Sequence, residues 1–108
     1  PRGARVTIPG ASAVPTVADV AAFLDRFAPP SLAAEWDNVG LLLGDPAGPA
    51  DRVLTCLTLT PDVAAEAAAG GARLVVSHHP ILFRGAKRLT PATADGRVVL
   101  TLAAAGVA

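Results

Sequence analysis

Hydrophobic positions in this chain fall into short blocks separated by proline and glycine, and their spacing changes from block to block. Val20, Phe23, Leu24 and Phe27 recur at helical spacing, which predicts a helix capped by Thr16 and running to about Phe27. Pro29-Pro30 stops it. Ser31 to Asn38 reads as a polar loop or short helical turn, and Val39 to Leu43 as a short strand closed by Gly44-Asp45-Pro46. A second strand is predicted over Arg52 to Leu59, rich in β-branched and apolar residues. Thr60-Pro61-Asp62 then supplies a cap, a first-turn proline and an acid at the positive helix end, which starts a helix reaching about Ala69. Gly70-Gly71 ends that helix. Arg73 to Ser77, apolar on both faces, predicts a third, buried strand. After a long connection from Pro80 to Pro91, a last helix is predicted over about Ala94 to Ala105, stopped by Gly106, with Val107-Ala108 as the first residues of a further strand.

Strand alternating with helix is the pattern of an α/β fold: a layered parallel or mixed sheet with flanking helices, which the sequence leaves apparently truncated. Residues 1–14 lack apolar periodicity and read as a disordered or extended tail, so the domain spans 15–108. An unfinished sheet leaves an open edge and uncovered apolar surface, and leaves the alanine-rich last helix little to pack on.

Composition narrows the functional classes. Nine basic and nine acidic residues balance to zero net charge, which argues against nucleic acid and against a polybasic membrane anchor as partners. No apolar stretch reaches the roughly 18 residues of a membrane-spanning helix. The single cysteine, Cys56, cannot form an intrachain disulfide, so a reducing, cytoplasmic location is expected. Cys56 itself reads as a small buried strand residue rather than a nucleophile.

The chemistry concentrates at one place. The only two histidines, His78 and His79, close the run Leu74-Val75-Val76-Ser77 and precede Pro80. In open α/β sheets ligands gather at the carboxyl ends of the strands, where these two imidazoles fall. Neutral imidazole suits zinc, iron, nickel or copper, and two adjacent ligands can serve one cation or two neighbouring ones. Neighbouring strand residues point to opposite faces, so both rings reach one site only if the backbone bends. Two histidines also occur commonly as plain polar surface residues.

The order of three blocks carries a resemblance: Glu35-Trp36-Asp37-Asn38-Val39-Gly40-Leu41, then the strand-helix segment through Thr60-Pro61-Asp62, then Ser77-His78-His79-Pro80-Ile81-Leu82-Phe83. The chain from Val14 onward resembles the Nif-three-like family, whose members carry the label GTP cyclohydrolase 1 type 2 homolog. The resemblance implies an α/β fold, a centre of two divalent metal ions per full-length subunit (zinc, iron or manganese), and homo-oligomers that are hexamers in full-length relatives. It maps two metal ligands onto His78 and His79. Further family ligands, an aspartate in a His-Thr-x-x-Asp segment and a late histidine and glutamate, have no counterpart in these 108 residues. The chain therefore reads as an N-terminal fragment.

The implied activity is a metal-dependent hydrolase acting on a small, phosphorylated or nucleotide-like substrate. The alternatives are a non-catalytic metal-binding or regulatory scaffold, and an inert truncated fragment. Asp37 and Asn38 read as a loop cap rather than a metal or substrate group. Glu35 reads as a solvated acid and Trp36 as a core or interface anchor. Arg84, Lys87 and Arg88 read as a solvated basic loop rather than a phosphate clamp, and Thr58 as an ordinary strand residue.

Overall fold

A computed structural model describes residues 13–108. The tail expected over residues 1–14 lies almost wholly outside them. Helix α1 spans Val17–Phe27 and starts at a capping box, with Thr16 Oγ1 accepting from Asp19 N at 3.1 Å and Asp19 Oδ2 accepting from Thr16 N at 2.8 Å. A 3₁₀ turn at Pro30–Leu32 follows the proline stop. Strand β1 is Val53–Thr58, helix α2 is Pro61–Ala69 and strand β2 is Leu74–His79. Helix α3 spans Ala94–Ala105 and ends on Gly106, whose φ of 69° and ψ of 31° give the left-handed cap that glycine adopts without strain.

The two strands pair in parallel, Val53 opposite Leu74 and Thr58 opposite His79. Alternation along β2 sends its side chains to two layers. Val75, with Leu54 of β1, packs under α2 and α3 in a cluster built on Ala64, Ala67, Val98, Val99 and Leu102. Leu74 and Val76 face the other way and meet Val17 and Val20 of α1. The α/β class expected from the sequence therefore holds, with helices on both faces of a narrow sheet.

Several details depart from expectation. Val39 to Leu43 forms no strand. Gly40 within it and Gly44 just after it take φ of 107° and 109°, which breaks the extended run. Leu42 and Leu43 pack instead against the α2–α3 cluster. Gly44 also lets the chain pass Ala108, since a Cβ there would meet the Ala108 Cβ at 2.5 Å. Ala108 holds a place beside β2: its N–H donates to Arg73 O at 2.9 Å, and its carbonyl accepts from Val75 N at 2.8 Å, a parallel ladder around Leu74. The last helix does find a partner. Val98 and Leu102 are each 1% exposed against α2, because the many alanines of α2 let the two helices approach closely.

The α1 stripe is only half used. Val17 is buried, but Phe23 is 58% and Phe27 81% exposed, since the two-stranded sheet is too narrow to floor the second half of the helix. Cys56 is half-buried rather than a core residue. No helix among the described residues is long and apolar enough to cross a membrane.

Candidate metal centre

β2 runs regularly through both histidines, past the strand end expected at Ser77. Three polar side chains brace the strand tip and the segment beyond it. Ser77 Oγ donates to His79 O at 2.7 Å, two residues on, which ties down the carbonyl of the last strand residue. Thr58, the ladder partner of His79, places Oγ1 3.0 Å from His79 Nδ1. Asn38 Nδ2 donates to Ile81 O at 3.3 Å and Leu82 O at 3.2 Å, reaching across 43 and 44 residues. Leu82 sits at φ 54°, a conformation a leucine keeps only when its surroundings impose it. Ile81, 7% exposed, is the apolar anchor of this segment in the α2–α3 cluster.

The two imidazole rings lie with centroids 5.0 Å apart and planes inclined at 55°. Fully opposed rings on a flat strand would stand considerably farther apart, so the two rings have drawn together. Two imidazoles sharing a tetrahedral zinc through bonds of about 2.0–2.1 Å have ring centres about 5 Å apart. The spacing is that of two rings around one shared cation. Both side chains are exposed and neither is locked into apolar packing. They form a partial donor set. Among the described residues, no group of three or more His, Cys, Asp or Glu side chains gathers where a metal ion could be held.

His78 also lines a cavity of about 520 Å³. Its walls include Val17, Val20 and Leu24 of α1, Pro29 and Leu32, the stretch from Asp37 to Leu43, and β2 from Leu74 to His78. Asp37 and Asn38 share this lining, and Asp37 Oδ1 accepts from Asn38 N at 2.8 Å. Asp37 is therefore a local cap, as its sequence context suggested, while Asn38 does far more than cap a turn. Trp36 is not a core residue. It is 73% exposed and meets Phe83 edge-on, with centroids 6.0 Å apart. Glu35, Arg84, Lys87 and Arg88 are exposed and stand outside the cavity lining.

Residue spacing alone does not mark Thr58, Ser77 or Asn38 as supports of the histidines. Strand register is the available signal for Thr58, because pairing Val53 with Leu74 brings Thr58 beside His79.

The class is thus an α/β protein: a parallel layer that carries two adjacent imidazoles at a strand's carboxyl end. The family model described as Duf34/NIF3 (NGG1p interacting factor 3) matches residues 15–108, and the chain belongs to that family. A GTP cyclohydrolase 1 type 2 homolog of Clostridium acetobutylicum is 36% identical over 86 residues, covering 80% of this chain and 32% of the relative. The crystal structure of a hypothetical protein of Staphylococcus aureus superposes with a TM-score of 0.82 at 37% identity, covering 90% of this chain and 28% of that one. A Bacillus cereus protein related to NIF3 gives 0.81 at 28% identity, covering 89% and 27%. The chain thus spans about a third of the length of the Clostridium relative.

Proposed function

We propose that this chain carries the histidine pair of a dinuclear metal centre, and that the protein to which it corresponds is a metal-dependent hydrolase of a small substrate. The observation behind the reading is the pair itself, two exposed imidazoles 5.0 Å apart at a braced strand end. His78 and His79 would hold the cation, zinc or iron suiting imidazole better than manganese. A divalent ion bound there supplies Lewis acidity and brings the pKa of a coordinated water toward neutrality. The protein's own contribution is to hold the His79 imidazole and to offer His78 a neighbouring cavity whose mostly apolar walls exclude water from a bound substrate. The remaining ligands would come from outside the 108 residues, because two imidazoles leave most of the coordination sphere to water.

Homo-oligomers belong to the same proposal, supported by the uncovered Phe23, Phe27, Leu32 and Trp36. So does a cytoplasmic location, supported by the single unpaired cysteine. Cobalt(II) titration followed by absorbance tests the metal reading. Weak, saturable binding is expected, reduced in His78→Ala and in His79→Ala. Equal binding by all three proteins would remove the pair from the site. A phosphoester hydrolysis screen on the metal-loaded protein tests the catalytic part, with turnover expected to vanish in both variants.

A further inference from the structure

The two histidines are not equivalent. Among the described residues the His78 ring makes no hydrogen bond, whereas the His79 ring is held through Nδ1 by Thr58 Oγ1 at 3.0 Å. We propose that Thr58 is the positioning residue of the centre: it engages Nδ1 of His79 and thereby leaves Nε2 as the atom that binds the cation. This inference rests on the metal reading above and says which nitrogen is used and what selects it.

The geometry favours such a role. Thr58 and His79 face each other across a parallel ladder, so their separation is set by backbone hydrogen bonds rather than by loose side chains. Thr58 is β-branched, which restricts the torsion that aims its hydroxyl. The His79 backbone is fixed independently by Ser77 Oγ on its carbonyl at 2.7 Å. Main chain and ring are thus both constrained before any ligand arrives. With a cation on Nε2, the ring must carry its proton on Nδ1, and that N–H donates to Thr58 Oγ1. A hydroxyl can accept this bond as readily as donate one, so the contact survives the proton placement that metal binding requires. The neighbouring His78, without such a partner, is left to adjust to the cation.

The test uses the 108-residue chain with ¹⁵N-labelled histidine, titrated with zinc and read by long-range ¹H–¹⁵N spectra of the imidazoles. Thr58→Val keeps the shape and strand preference but removes the hydroxyl, and Thr58→Ser restores it. In the wild type, zinc should shift Nε2 of His79, and Nδ1 should carry a protonated signature in the zinc-bound state. Thr58→Val should bind zinc about 10-fold more weakly or worse, in line with the loss of an outer partner, and Thr58→Ser should recover most of that. It should also change the His79 Nδ1 shift before zinc is added. Zinc on Nδ1, or zinc-induced His79 shifts and affinity unchanged in Thr58→Val, would overturn this inference alone. If zinc moved neither imidazole in the wild type, the metal reading would fall and this inference with it.

Discussion

Asn38 offers a sharp test of how the histidine segment is held. Asn38→Asp is nearly isosteric but replaces two N–H donors with carboxylate oxygen, facing the carbonyls of Ile81 and Leu82 at 3.3 and 3.2 Å. Each lost neutral hydrogen bond costs about 0.5–1.5 kcal/mol, so the pair accounts for about 1–3 kcal/mol. Repulsion between the new charge and the two carbonyls adds to this, reduced by solvent because the site is only half-buried. A loss of about 2–3 kcal/mol at pH 7 is expected, or a fall in Tm of about 8–20 °C for a domain of this size. Asn38→Ala removes the same bonds without adding charge, so the difference between the variants isolates the repulsion. The deficit must depend on pH. The carbonyls raise the folded-state pKa of the introduced carboxyl above its unfolded value of about 3.9. The charge penalty is then fully present above the raised folded pKa and vanishes below the unfolded one, where a protonated carboxyl can again donate. Urea unfolding followed by circular dichroism, each variant against wild type at pH 7 and pH 4, should give a smaller gap at pH 4 for Asn38→Asp and no such narrowing for Asn38→Ala. A deficit under about 0.5 kcal/mol for both would show that the long-range bonds do not hold the segment.

Other substitutions probe the packing beneath the site. Gly96→Ala would gain up to about 1 kcal/mol in an open helix, but here the added Cβ would meet the Thr90 backbone, with Thr90 N and C both at 2.9 Å. Overpacking against backbone costs about 1–3 kcal/mol, so the variant should melt at a lower temperature than wild type, and a higher melting temperature would refute the close approach. Leu102→Ala, at a position 1% exposed between α2 and α3, should cost about 2–5 kcal/mol in the same urea assay. The exposed Phe23, Phe27 and Leu32 should make the chain self-associate as its concentration rises, and sedimentation showing a monomer throughout would contradict that expectation.

What the sequence made legible was local. Thr16, Thr60-Pro61 and Gly106 mark helix ends through hydrogen bonds within a turn, and the helices begin or end where these residues predict. The strands around Cys56 and Val75 were also legible, because apolar runs of that length between turn residues have few other fates. Val39 to Leu43 misled because a strand needs a partner, and pairing is not written in five residues. Gly40 and Gly44 were the local hint against it. Of the two places expected for Trp36, core or interface, the core is ruled out: its position on the rim leaves it open beside Phe83. His78 and His79 were visible as a motif. Their supports Thr58 and Asn38 were not, because each lies more than 20 residues away and meets the site only through the fold.

The central claim is that these two imidazoles together receive a cation. Substoichiometric cobalt(II) added to ¹⁵N-labelled protein broadens the amide signals nearest the bound ion. The account predicts broadening centred on His78 and His79, extending to Thr58 across the ladder and absent from the same region in the doubly substituted His78→Ala/His79→Ala protein. Broadening centred on the exposed carboxylates instead, unchanged by that double substitution, would contradict it.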